Sequence, residues 1–106
     1  LDKRERELCA AERIFNILPP DQAAEIRALW DEFEECSTPE ALFAASLDRL
    51  QPLLHNYHTK GHTWKGGVTS SRVYDRMAKV REGAPELWAL VESIVRDSIE
   101  KGYLKE

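Results

Sequence analysis

The stretch TPEALFAASLDRLQPLLHNY, residues 38–57, decides the fold class. Thr38, or Ser37 before it, is a typical N-cap residue, and Pro39 suits the first turn of a helix. Apolar residues then follow in steps of 4, 3, 4 and 3, at Phe43, Leu47, Leu50, Leu54 and Tyr57. The stretch therefore predicts a long helix with one seam that faces the core.

The same periodicity extends over the rest of the chain, and no stretch of four or more residues shows the alternation of apolar and polar residues that is typical of strands. A second helix is expected to bury Ile26, Leu29, Trp30 and Phe33. The glycine-containing segment 59–69 is predicted to be a loop with an exposed Trp64. We expect an all-α fold of about five helices, near residues 2–17, 20–36, 38–57, 69–81 and 85–102, the last ending at Gly102 in a left-handed cap.

Length and composition restrict the function classes. The 106 residues suffice for one domain, and the net charge of −4 argues against duplex nucleic acid or an anionic membrane as the main partner. No window approaches the apolar length of a membrane span, and Cys9 and Cys36 form no metal or disulfide motif. Because the chain begins at Leu1 in sequence typical of a helix interior, we expect it to be a piece of a longer protein.

Asp48 is the most informative polar residue. It shares a helical face with Ala41, Ala44, Gln51 and His55, so small side chains would let another helix or an ion come close. Pro52, four residues later, removes the normal donor to the Asp48 carbonyl, and the helix is expected to bend or open there. Spacing alone favours a surface acid paired with Arg49 or Arg72 over a functional carboxylate.

Three histidines follow Asp48. His55, His58 and His62 have the ligand type of a zinc site, but no acid or thiolate lies close to them in sequence. Solvent-exposed histidines are the favoured interpretation. The segment from Gly61 to Gly67 is not a P-loop, because its lysine precedes the paired glycines and no strand comes before it.

Three phrases together resemble a known family. They are LWDEFE at residues 29–34, TPEAxF at 38–43 and LDRLQPLLxNY at 47–57. They are similar to the C-terminal half of HD-domain metal-dependent phosphohydrolases, and the most similar branch is the bacterial hydrolases akin to five-prime deoxynucleotidases. The similarity extends from about Arg6 to Leu104, which is nearly the whole chain.

The resemblance implies a metal site of which this chain holds one ligand. In that family a histidine, an adjacent His-Asp pair and a later aspartate hold a divalent ion, and the matching motif makes Asp48 the later aspartate. The sequence contains no His-Asp dipeptide, and all three histidines follow Asp48. Either the N-terminal half of the domain is missing from this sequence, or the protein is a degenerate, non-catalytic relative, and the start at Leu1 favours the first. Residues 1–106 are thus predicted to be the C-terminal portion of a single HD-type helical domain that is inactive alone.

The resemblance also implies the chemistry of the intact protein. It would be a cytoplasmic, homodimeric enzyme that binds Mn, Co, Zn, Fe or Mg and removes phosphate from nucleoside 5′-monophosphates. The bound ion would activate a water molecule and polarise a phosphoryl oxygen. The alternative is a non-catalytic, all-helical interaction or dimerisation module, in which Asp48 is only a surface acid.

Overall fold

A computed structural model describes residues 2–106, which form six α-helices and two short 3-10 turns. The described residues contain no strand beyond an isolated bridge between Thr69 and Lys105, so the all-α prediction is confirmed. The 3-10 turns are His62–Trp64 and Pro85–Leu87. The helices are α1 (Lys3–Phe15), α2 (Pro20–Glu35), α3 (Pro39–His58), α4 (Ser70–Arg76), α5 (Ala78–Gly83) and α6 (Trp88–Glu100).

The chain divides into two compact units, an N-terminal hairpin (Leu1–Glu35) and a C-terminal unit (Cys36–Glu106). In the hairpin, the rings of Phe15 and Trp30 meet edge to face with their centroids 6.1 Å apart. The Arg4 guanidinium lies 5.5 Å from the centre of the Trp30 ring, and its Nη1 lies 3.5 Å from Glu34 Oε2. These contacts join α1 and α2 as an antiparallel pair.

The hairpin buries less than the sequence predicts. Within residues 2–35, Ala11 alone is buried, with 7% of its surface exposed. Ile26 and Leu29, predicted to be buried, are 42% and 58% exposed, and that prediction was wrong. For Leu29 the reason is that Trp30 is the residue of α2 that faces α1, and Leu29 is turned about 100° away from it.

The C-terminal unit packs α3 against α5 and α6. Its core includes Leu50 and Leu53 of α3, Val80 of α5, and Val91 and Val95 of α6. Two small residues let α3 and α5 approach closely. Ser46 is fully buried and its Oγ lies 2.8 Å from the Leu42 and Lys79 carbonyl oxygens, and a Cβ placed on Gly83 would lie 2.3 Å from the same Leu42 oxygen.

This close packing displaces the predicted seam of α3. Leu50 is buried as predicted, but Phe43 and Leu47 are 49% and 45% exposed. The face that contacts the core instead includes Ala45 and Ser46. The predicted seam is therefore wrong at its N-terminal end, because small side chains there bring the α5 backbone closer than leucine or phenylalanine would allow.

The predicted fourth helix is two helices. Met77 ends α4 with φ −87° and ψ 2°, and its N–H donates to the carbonyl oxygens of Val73 and Tyr74. α5 begins at the next residue, and Met77 itself is buried in the core. Neither proline nor glycine marks this break, so the local sequence gives no stop signal.

The segment after α3 is a loop that contains a 3-10 turn and is held by hydrogen bonds with α3. Trp64, predicted to be exposed, is only 8% exposed and belongs to the core, so that prediction was wrong. The buried Asn56 holds the loop in place: its Oδ1 accepts from the N–H and the hydroxyl of Thr63, and its Nδ2 donates to the Pro52 carbonyl. Gly61, at φ +76°, brings the chain close to the backbone of Tyr103. A Cβ at position 61 would lie 2.5 Å from the Tyr103 carbonyl oxygen.

Candidate functional site

Asp48 lies in the middle of α3 and is exposed. Among residues 2–106 its carboxylate forms no ion pair within 4 Å and no hydrogen bond, so the predicted pairing with Arg49 or Arg72 is wrong. Leu47, the residue before it, and Phe43, five residues before it, are also exposed. Asp48 is thus an uncompensated carboxylate beside exposed apolar side chains on a regular helix.

The predicted small-residue face around Asp48 is only partly free. Ala41 is buried and Ala44 is half-buried, whereas Gln51 and His55 are exposed like Asp48. The exposed half of this face therefore runs from Asp48 towards the C-terminal end of α3. Another element could reach the carboxylate from that side.

α3 continues through Pro52 to His58, so the predicted opening of the helix was wrong. Pro52 is exposed, and because it has no N–H, the Asp48 carbonyl lacks its usual helical donor. One turn later the Asn56 side chain donates to the Pro52 carbonyl at 3.1 Å. This bond and the Asn56 contacts to Thr63 support the end of the helix.

The histidines stand apart from any metal cluster. His55, His58 and His62 are exposed, as favoured from the sequence. Among the residues that the structure describes, no group of three or more His, Cys, Asp or Glu side chains could hold a metal ion. One carboxylate is too small a donor set for a divalent ion, so the described residues alone do not fit a complete metal site.

Tyr57, at the end of the family-like phrase, belongs to a polar cluster with two residues at the end of α6. Its hydroxyl donates to the Asp97 carboxylate, and Lys101 Nζ lies 2.8 Å from Asp97 Oδ2 and 3.2 Å from the Tyr57 oxygen. The hydrogen bond from Lys101, with that from Tyr57, lowers the pKa of Asp97. The hydrogen bond to Asp97 is the main cause that raises the pKa of Lys101.

These shifts predict an acid-sensitive contribution to stability. A carboxyl group whose pKa is lower in the folded protein than in the unfolded chain stabilises the folded protein at pH values above its unfolded pKa of about 3.9. This stabilisation is lost as the pH falls through the pKa of the folded protein. Between about pH 5 and 2, Asp97→Asn should therefore show a smaller loss of unfolding free energy than the wild type, measured by urea denaturation. Asp75→Asn, an exposed carboxylate with no ion pair among the described residues, is the control. Equal acid slopes for the wild type and Asp97→Asn would contradict the prediction.

Two surface cavities of the C-terminal unit escaped the sequence analysis. One, of about 500 Å³, is lined in part by Trp88, over whose ring the Arg81 guanidinium lies at 4.3 Å. The other, of about 340 Å³, is lined by charged residues of α3, α4 and α5 and by Ala78. Its charged lining consists of Arg49, Asp75, Arg76, Lys79 and Glu82. Only the tertiary contact of α3 with α5, which directly follows α4, brings these residues together, and no local motif marks them.

The structure also addresses the membrane question. Over residues 2–106, every helix is too short or too polar to cross a bilayer. This agrees with the absence of a long apolar window in the sequence.

The fold and the placement of Asp48 define an all-helical domain that presents one candidate ligating carboxylate from its longest helix. The chain belongs to the HD-domain family, because the sequence model of that family matches residues 1–88.

A solved structure agrees with this assignment. The chain is similar to a protein described as a predicted metal-dependent phosphohydrolase from Magnetospirillum magnetotacticum MS-1, with 48% identity and a TM-score of 0.92. The similarity covers 100% of this chain and 55% of the Magnetospirillum chain, so this chain spans little more than half the length of that relative. No curated protein matches significantly.

Proposed function

We propose that the chain is part of a metal-dependent phosphohydrolase in which Asp48 supplies one oxygen ligand to a divalent ion. The observation that carries the proposal is the state of Asp48: exposed, without an ion pair among the described residues, and placed by a family-like motif on a continuous helix. The name of the Magnetospirillum relative, which is 48% identical, supports the same reaction class.

The finer parts of the proposal concern substrate, metal and assembly. We propose a nucleoside 5′-monophosphate as substrate, a cytoplasmic location, a homodimer, and Mn, Co, Zn, Fe or Mg as the ion. Residues 1–106 would form the C-terminal portion of one HD-type domain. The proposal requires further ligands, a histidine and a His-Asp pair, from polypeptide beyond these residues, because the described residues contain no group of three candidate ligands.

A second candidate function is a non-catalytic interaction or dimerisation module. Exposed large apolar side chains on α2 and, separately, on α3 favour it, since exposed apolar surface commonly marks a contact with another protein. The two candidates differ in whether a longer polypeptide binds metal and releases phosphate.

The experiment compares the 106-residue chain with a longer polypeptide that carries the further ligands. Metal content and phosphate release from nucleoside 5′-monophosphates are measured with each of the five ions. The longer protein is expected to hold metal and release phosphate, and the 106-residue chain to do neither. Phosphate release by the 106-residue chain would contradict the need for further ligands, and a longer protein with neither metal nor activity would favour the interaction module.

A further inference from the structure

The larger of the two cavities in the C-terminal unit has an aromatic wall. It lies between the last turn of α4, α5 and the first turns of α6, and its lining includes Tyr74, Ala78, Arg81, Trp88 and Glu92. The rings of Tyr74 and Trp88 lie with their centroids 5.8 Å apart, tilted by 42°. Its volume of about 500 Å³ falls within the ~300–1,000 Å³ that is typical of small-molecule sites. The cavity is thus large enough for one small organic molecule.

Arg81 covers one face of the Trp88 ring. Its guanidinium carbon lies 4.3 Å from the ring centre, whereas the other cation–π contacts of the described residues measure 5.3 to 5.5 Å. The ring therefore holds the guanidinium in place. Arg81 forms no ion pair or hydrogen bond with another described residue, so its N–H groups remain available as donors at the cavity wall.

Glu92 places an acceptor in the same cavity. It lies one turn after Trp88 on α6 and is half-buried. Within residues 2–106 its carboxylate forms no hydrogen bond, and no ion pair within 4 Å joins it to Arg81. The cavity thus offers a donor group at Arg81 and, separated from it, an acceptor group at Glu92.

The charges of the lining select a neutral ligand. Two carboxylates against one guanidinium give the lining a formal charge of −1. A phosphate group could pair with Arg81 but would face two like charges, and an amine cation could pair with Glu92 but would lie beside the guanidinium. A neutral molecule with an acceptor edge for Arg81 and an N–H edge for Glu92 satisfies both groups without either conflict. The aromatic wall favours a flat ring for that molecule.

We infer that this cavity binds the base of an uncharged nucleoside. An amino-substituted nucleobase such as adenine combines a flat ring, ring-nitrogen acceptors and an exocyclic amino donor. The ring packs against the aromatic wall, Arg81 donates to a ring nitrogen, and Glu92 accepts from the amino group. The inference does not depend on Asp48, which is not among the lining residues, or on phosphohydrolase activity. It would stand if the proposed function failed.

The test is a titration of the 106-residue chain with adenosine, followed by the indole N–H signals in nitrogen-15 NMR spectra. The chain has three tryptophans, so each reports on a different region. The Trp88 signal should shift and saturate. The signals of Trp30, in the hairpin, and Trp64, in the core, should not move.

Three further probes separate the ligand classes. Purine riboside lacks the amino group, adenosine 5′-monophosphate adds a phosphate, and putrescine is an amine cation without a ring. Purine riboside should bind about tenfold more weakly than adenosine, because it leaves the Glu92 carboxylate without its hydrogen bond. The monophosphate and putrescine should also bind more weakly, since each sets a charge beside one of like sign.

A substitution locates the amino contact. Glu92→Ala should weaken adenosine binding about tenfold and leave purine riboside unchanged, because only adenosine offers the amino group. Glu100→Ala is the matched control: it changes an exposed glutamate of the same helix that does not line the cavity, and it should leave both affinities unchanged. An unshifted Trp64 signal in the free variants shows that the core is intact.

Four results would overturn the inference. The first is the absence of a saturable Trp88 shift at adenosine concentrations up to about 10 mM. Tighter binding of the monophosphate or of putrescine would make the cavity an anion or a cation site. Equal weakening of both nucleosides by Glu92→Ala would exclude the amino contact. Loss of adenosine binding in a longer polypeptide that carries the further ligands would show that polypeptide, rather than a small molecule, covers the cavity.

Discussion

Asp48→Ala, in a longer polypeptide that carries the further ligands, is expected to abolish bound metal and phosphate release without unfolding the protein. Changes around metal ligands cost about 10–100-fold in metal affinity or activity, so the loss of a direct ligand should cost at least as much. The fold should tolerate the change, because Asp48 is exposed and forms no ion pair among the described residues. Surface substitutions of this kind usually stay within about 0.5 kcal/mol.

Three measurements separate a ligand from a structural acid: metal content, phosphate release and the free energy of unfolding. Asp75→Ala is the matched control, since Asp75 is also an exposed helical carboxylate without an ion pair in the described part of the chain. It should retain both metal and activity. Full metal content in the Asp48→Ala protein would exclude Asp48 as a ligand, and a loss of activity together with unfolding would make its role structural.

Local chemistry explains the features that the sequence predicted correctly. The Thr38 hydroxyl accepts from the Ala41 N–H at 3.1 Å and starts α3 as its N-cap. Gly102 has φ +79°, and the Tyr103 N–H donates to the Ser98 carbonyl beyond the end of α6, as expected for a left-handed cap. Each of these interactions joins residues within about one and a half helical turns, so a short stretch of sequence contains all the information.

The missed features depend on residues that are distant in sequence. The orientation of α3 follows from the approach of Ser46 to the Lys79 carbonyl, 33 residues later. Trp64 is buried because the loop returns it to a core that α4 and α6 complete. Periodicity shows that a helix has an apolar side. It does not show which turn of that side packs closely against another helix.

The candidate site shows the same division. The motif singled out Asp48, and spacing placed it on a helix with apolar neighbours. Whether its carboxylate had a partner depended on the positions of Arg49 and Arg72, which spacing could not give. The structure removes that pairing and so strengthens the case for a functional carboxylate, while the ligand assignment itself stays a prediction.

Among the glycines whose backbone is not left-handed, Gly83 is the one at which substitution by alanine is expected to cause the largest loss of stability. The new Cβ would lie 2.3 Å from the Leu42 carbonyl oxygen and 2.4 Å from Ser46 Oγ. The Leu42 oxygen belongs to the α3 backbone and cannot rotate away, so α3 and α5 must separate.

That separation would weaken the contact of Ser46 with the Lys79 carbonyl and the packing of Val80, which is fully buried. Overpacking typically costs about 1–3 kcal/mol. The higher helix propensity of alanine returns up to about 1 kcal/mol, so a net loss of about 1–2 kcal/mol is expected. For a domain of this size, each kcal/mol lowers the melting temperature by about 4–8 °C.

Gly66→Ala is the control, because no atom lies within 4 Å of a Cβ at that position and its backbone is not left-handed. Its unfolding free energy should stay within about 0.5 kcal/mol of the wild type. Ser46→Ala combined with Gly83→Ala should cost less than the sum of the two single changes, since it removes one of the three atoms that lie within 3 Å of the new Cβ. The rescue should be partial, because the Leu42 oxygen remains. If Gly83→Ala behaved like Gly66→Ala in thermal and urea unfolding, α3 and α5 could not be in backbone contact, and the orientation of α3 that leaves Asp48 exposed would lose its physical basis.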